Sequence, residues 1–138
     1  LCHQYGAKCL INSVHPWDWV GDTDGMHLRS QDAAQLVKQH QPAPIAEHQL
    51  LGLSAHHAQD LAHAATLASD FVVIGHVLDT PSHPDEPALG WSGFAKLTAQ
   101  AGRPVYAIGG QSAHTLHTAY RYGAHGIAGI RQLVENHE

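Results

Sequence analysis

Short apolar runs alternate along the chain with longer stretches in which apolar positions recur every three or four residues. The runs predict strands over Lys8 to Ile11, Gly25 to Leu28, Leu50 to Leu53, Phe71 to Ile74, Val105 to Ile108 and Gly126 to Gly129. The stretches between them predict helices over Gln31 to Gln39, Ala58 to Ala68, Gly93 to Ala101 and Ala113 to Tyr122. Leu61, Ala64, Ala65 and Ala68 form one such apolar stripe. Ser54 and Ser112 stand where N-caps are expected. Gly102, Gly123 and the Arg103-Pro104 step close the helices ahead of the last two strands. A strand followed by a helix, repeated, is the pattern of a parallel sheet covered by helices.

An open doubly wound sheet and a (β/α)8 barrel share that pattern, so the turns have to separate them. In "YAIGGQSA" two glycines follow the fifth strand at once, and in "GIAGIRQL" one follows the sixth. Phosphate sites of (β/α)8 barrels are commonly built from the last two strand-helix loops and a helix N-terminus, where backbone N–H groups meet the anion. Two such loops at the C-terminal end point to a phosphate site and to the barrel.

Composition narrows the partners. The 138 residues carry a formal charge of -5 and 43% hydrophobic side chains, enough for one core and without a basic footprint for nucleic acid. Runs such as "FVVIG" are too short to cross a bilayer, and the N-terminus lacks a basic segment followed by an apolar one, so a cytoplasmic protein is expected. Cys2 and Cys9 match no disulfide scaffold or common zinc spacing, and the fourteen histidines are scattered. A strand within the first ten residues, after Leu1, reads as a piece of a longer chain.

The segments "LINS" (Leu10 to Ser13), "DGMHLRSQD" (Asp24 to Asp32), "LGLSAHH" (Leu51 to His57), "DFVVIGHVLDTPSHP" (Asp70 to Pro84), "LGWSGF" (Leu89 to Phe94), "PVYAIGG" and "GAHGIAGIR" occur in this order. Together they resemble the thiamine phosphate synthase and TenI family of (β/α)8 TIM barrels. The resemblance implies that residues 1–138 are a partial barrel of about six βα units, with the family's first two strands missing. TenI-like domains of this kind also form the C-terminal halves of Nudix hydrolase fusions, an origin that suits a start at Leu1.

Carried over residue by residue, the resemblance splits the site. The thiazole phosphate end finds Gly109, Gly110, Gly129 and Ile130, and Ser54 falls on the serine that approaches substrate, unless it is only a helix cap. At the diphosphate end the synthases hold Mg²⁺ between two aspartates after the third and fourth strands. Asn12 and Asp32 match that pattern, but the first aspartate is Ser13 here. Thr80 keeps its place in the long loop, whereas the lysine expected there is His83.

The "GHVLDT" that follows the fourth of these strands resembles the "GHVF.T" of thiazole tautomerases, whose histidine is the acid/base that aromatises the ring. An imidazole can take and return a proton near neutral pH, so His76 is the catalytic candidate; its bland alternative is a half-buried strand end bonded to backbone. Asp79 either orients that ring or starts the turn, and the turn is favoured. His56, Asp60 and His63 could share a helical face, but a solvated surface is the better reading, as for His114 and His117. Trp17 and Trp19 are expected to pack the helix after the first strand, and Trp91 the end of the long loop.

The resemblance therefore implies a domain that binds a thiazole phosphate and moves a proton on it, with no cofactor. The alternative is a thiamine phosphate synthase using Mg²⁺, and a further one is a non-catalytic module beside a Nudix (8-oxo-dGTP diphosphatase-type) domain. The expected partners are the small phosphorylated thiazole and either further copies of the chain or the remainder of a longer one.

Overall fold

A computed structural model describes residues 1–81, 84–130 and 133. Six strands, β1 (Leu10–Asn12), β2 (Gly25–Leu28), β3 (Leu50–Ala55), β4 (Phe71–Ile74), β5 (Val105–Ile108) and β6 (Gly126–Ala128), pair in chain order, and every neighbouring pair is parallel. Helices α1 (Ser30–Lys38), α2 (Ala58–Thr66), α3 (Gly90–Ala101) and α4 (Leu116–Arg121) supply four of the five crossovers, and a short 3-10 turn lies in the one from β1 to β2. A sheet in which every strand neighbours its predecessor, with helices returning the chain, curls into a barrel wall. Here it forms a curled half-barrel with β1 and β6 at its edges.

Side chains alternate across the pleat. Met26, Leu28, Leu51, Leu53, Ala55, Val72, Ile74, Val105 and Ala107 turn toward the helices and join Leu36, Leu61, Ala64, Phe94 and Ala119 in one core. Each large side chain fully buried there, such as Phe94 or Met26, contributes about 1.5–3 kcal/mol by leaving water. On the opposite, concave face the ring centroids of His27 and Phe71 lie 6.1 Å apart, and Phe71 meets Tyr106 edge-on at 5.6 Å. Gly52 makes that row possible, since a β-carbon there would stand 2.4 Å from Cζ of Phe71 and 2.7 Å from Nδ1 of His27.

The structure alters several expectations. Strand β1 starts at Leu10 and takes in Asn12, β3 runs on to Ala55, β6 stops at Ala128, and α3 begins at Gly90. The other helices shift at one or both ends: α1 covers Ser30–Lys38, α2 stops at Thr66 and α4 covers Leu116–Arg121. Pro16 and Gly21 leave room for only one 3-10 turn, Trp17–Val20, where a helix was expected. Trp17 is half-buried and donates Nε1–H to the Ser13 carbonyl at 2.8 Å, while Trp19 stays 57% exposed and stacks on His15.

Ser54 is not a cap, because the strand continues through it. The N-cap of α2 is His57, and the Asp60 carboxylate accepts the N–H groups of His56 and His57 at 2.8 and 3.1 Å. Ser112 accepts His114 N–H at 3.2 Å in the turn before α4, whose N-cap is Thr115. Trp91 stacks on Tyr122 and meets Phe94 edge-on, tying α3 to the end of α4.

Candidate active site

Parallel strands deliver all their C-terminal ends to one side of the sheet, and there the ends of β3 to β6 enclose a cavity of about 390 Å³. Ser54, His76, Thr80, Gly109, Gly110, Gly129 and Ile130 line it, joined by His56, Asp79, Pro81 and Gln111. Most of the expected substrate and phosphate positions thus meet in one place. Asn12 and Asp32 lie outside that lining, and His83 falls outside the described residues.

The two glycines after β5 have a structural reason as well as room for a ligand. Gly109 has φ +102° and Gly110 φ +65°, a region L side chains rarely adopt. A β-carbon on Gly109 would sit 2.5 Å from Cβ of His76, and one on Gly110 would sit 2.9 Å from Cβ of Leu78. The loop after β4 therefore packs directly against the loop after β5. Backbone bonds hold the contact: Val77 N–H to the Ile108 carbonyl at 2.9 Å and Leu78 N–H to that of Gly109 at 3.2 Å. The long loop returns to the same point, with Leu89 N–H on the His76 carbonyl at 2.9 Å and Gly90 N–H on that of Val77 at 2.8 Å. The long loop is thus clasped at both ends.

His76 is 7% exposed. Its Nε2 is 3.1 Å from the Glu86 carbonyl, which can only accept, and its Nδ1 is 4.0 Å from the Glu86 carboxylate. The carboxylate placed against this ring is that of Glu86, a residue the sequence reading passed over. Asp79 is exposed at the cavity wall.

On the β2–β3 side, Nε2 of His27 meets the Ser54 hydroxyl at 2.8 Å. Burial pushes the His27 imidazole below its ordinary value, which keeps it neutral near pH 7. His56, two residues beyond Ser54, also lines the cavity and places Nδ1 2.9 Å from the Gly75 carbonyl. Both histidines escaped the sequence reading as site residues. The signal for His56 was its place just past a strand end; nothing local marked His27.

The ends of β1 and β2 are closed on themselves. Ser13, 4% exposed, donates to Asp32 at 2.6 Å and accepts Arg29 N–H at 2.9 Å. The Arg29 guanidinium grips the same carboxylate through Nε at 2.7 Å and Nη2 at 3.3 Å. Burial works to raise the Asp32 carboxyl, but the bonds from Arg29 and Ser13 outweigh it and hold the group below its ordinary value of 3.8. Asn12 is exposed, and its Oδ1 accepts Val14 N–H at 3.0 Å in a local turn.

Comparison with known proteins gives this arrangement a family. Residues 1–133 match the family described as thiamine monophosphate synthase (TMP-TENI). The chain belongs to the thiamine monophosphate synthase family. It is 31% identical over 136 residues to a provisionally named second thiamine-phosphate synthase of Aquifex aeolicus, covering 98% of this chain and 70% of that one. A thiamine-phosphate synthase of Nostoc sp. is likewise 31% identical over 98% of this chain, which spans only 38% of that relative. The solved thiamine phosphate pyrophosphorylase from Pyrococcus furiosus superposes over 93% of this chain and 59% of its own, with a TM-score of 0.69 at 22% identity, and so shares the fold.

Of the two aspartates between which the resemblance implies that synthases hold Mg²⁺, Asp32 is present and the first is replaced by Ser13. A hard dication takes oxygen ligands, and the oxygens of Asp32 already meet a guanidinium and a hydroxyl. Among the described residues no group of three His, Cys, Asp or Glu side chains is placed to hold a metal.

Proposed function

We propose that this chain is the thiazole-phosphate-binding part of a thiamine-phosphate synthase-type protein. Its reaction forms a bond from the thiazole nitrogen to a carbon of a pyrimidine diphosphate as the carbon–oxygen bond to diphosphate breaks. The observation that carries the reading is the cavity at the strand ends, whose lining includes Gly109, Gly110 and Gly129, which this reading gives to the phosphate, together with Ser54. Relatives named as thiamine-phosphate synthases match across 97–98% of the chain, which supports this chemistry over others.

The same reading takes the six strands as the greater part of an eight-stranded barrel. Among the described residues β1 and β6 have no further strand beside them, and such sheet edges need cover. Two further strands of the same polypeptide, or a second copy, would supply it. The test is phosphorus NMR on the longest polypeptide that carries this sequence, given both substrates. Thiamine phosphate and diphosphate in equal amounts are the expected products; no diphosphate release, or release that ignores the thiazole, contradicts the reading.

A second reading, proton transfer on the thiazole alone, is favoured by one specific observation. Two imidazoles, His56 and His76, line the cavity. That reading expects a non-aromatic thiazole tautomer to be converted with no pyrimidine present. A module without chemistry would bind the thiazole phosphate and leave it unchanged.

A further inference from the structure

Cys2 and Cys9 match no scaffold spacing, yet the fold brings them together ahead of β1, at the end of the sheet opposite the cavity. The chain reverses between them. Cys2 precedes one 3-10 turn, His3–Tyr5, and its carbonyl accepts the N–H groups of Tyr5 and Ala7, both at 3.0 Å. Gly6 carries the reversal with φ +69°. A single carboxylate oxygen then fastens both sides of the turn. Oδ2 of Asp24 accepts Cys9 N–H at 2.7 Å and lies 2.8 Å from Nε2 of His3, the residue next to Cys2. Asp24 in turn donates its own N–H to the Cys9 carbonyl at 2.9 Å.

The two half-buried side chains meet thiol to thiol. Every bond that holds them there is made by backbone, His3 or Asp24, so joining the sulfurs leaves those bonds in place. The two thiols are not equivalent. Burial, then Cys2 and the Asp24 carboxylate, push the Cys9 thiol above its ordinary value, which makes it slow to open an external disulfide and suits it to the second step of an exchange. Location gives the pair a use. Strand β1 has three residues and pairs with β2 alone among the described residues, so a covalent tie at its entry acts where the sheet is held least.

We propose that Cys2 and Cys9 form a reversible disulfide, with a small disulfide of the glutathione type as oxidant, that latches the entry to the edge strand β1. The Cys2 thiolate attacks one sulfur of the small disulfide; the S–S bond breaks, and one small thiolate leaves and takes a proton from solvent. Cys9 gives its proton to solvent and attacks the Cys2 sulfur of the mixed disulfide, and the second small thiol leaves. Two protein thiols and one small disulfide become one protein disulfide and two small thiols, so electrons and protons balance.

The test takes the longest polypeptide that carries this sequence, equilibrates it with glutathione and glutathione disulfide, blocks remaining thiols by alkylation and cuts it with trypsin. Cleavage after Lys8 puts Cys2 and Cys9 in separate peptides. Those two peptides are expected as one linked species that separates on reduction; linkage of either cysteine elsewhere, or both found alkylated, overturns the proposal. At the same glutathione poise the ratio of disulfide to dithiol should be about ten-fold or more higher in the folded protein than in urea, because a bond that fits the native fold stabilises it by that same factor. An equal or lower ratio in the folded protein overturns it. Cys9→Ser should trap a glutathione adduct on Cys2, and its absence contradicts the assigned order of attack. Oxidation should slow amide exchange at Tyr5, Ala7 and Cys9, and unchanged exchange there contradicts the latch.

Discussion

The ends of β1 and β2 and the ends of β4, β5 and β6 face the same side of one sheet, yet they are built by opposite rules. At β4 to β6, glycines and a clasped loop leave about 390 Å³ open, with imidazoles and a hydroxyl in its wall. At β1 and β2, Ser13, Arg29 and Asp32 bond to one another. A fold that offers a whole ring of strand ends to ligands can thus keep one arc receptive and lock another. The receptive arc carries the glycines that the resemblance assigns to the thiazole phosphate, and the locked arc carries what the resemblance expects to be the metal end.

The largest effect should come from filling the receptive arc. Gly109→Val forces a positive φ on a branched residue, costing about 1–2 kcal/mol, and drives its β-carbon into His76 for about 1–3 more. Urea unfolding should show the sum, and thiazole phosphate binding should vanish with it. An unchanged midpoint would mean that the two loops do not touch as described.

Breaking the locked arc should cost less and leave the cavity alone. Arg29→Ala removes two charge-assisted bonds from Asp32, about 1–2 kcal/mol once the 38% exposure of the Arg29 side chain and its screening are allowed for. Affinity for thiazole phosphate is expected to hold within about two-fold. A collapse of affinity would show that the two arcs act as one site.

His27, between the arcs, should give the molecule a pH slope. Its folded value lies below the unfolded 6.5, so the unfolded chain binds the proton more readily. The stability His27 contributes is present above pH 6.5 and is lost as pH falls through the lowered folded value. Unfolding midpoints should therefore drop between about pH 7.5 and 5.5, and His27→Gln should flatten that part of the profile. The smallest effect is expected at Asn12, an exposed side chain outside the cavity lining, where Asn12→Ala should alter thiazole phosphate affinity less than about two-fold in the same titration.

Sequence periodicity found β2, β4 and β5 at their true bounds because each is a short, mainly apolar run between stops: Asp24 and Arg29, Asp70 and Gly75, Pro104 and Gly109. It misplaced the caps of α2 and α4, since Ser54 and Ser112 look like caps but are used by the strand and by a turn. The glycines of the cavity were legible in the text, but the reason for two of them was not. Their neighbours, His76 and Leu78, lie about thirty residues away in the chain and meet them only across β4 and β5. Arg29 was invisible for a similar reason: nothing in "HLRSQD" says that its guanidinium turns back onto Asp32. Glu86 and His56 gain meaning only once the loop closes and β3 ends beside β4.

The most direct test is isothermal titration of the purified chain with thiazole phosphate, with inorganic phosphate as the control ligand. Saturable binding much tighter than that of phosphate, and absent in Gly109→Val, is the predicted result. Equal affinity for the two ligands, or binding that survives the valine in a folded variant, would contradict the claim that the ends of β3 to β6 form a selective thiazole phosphate site.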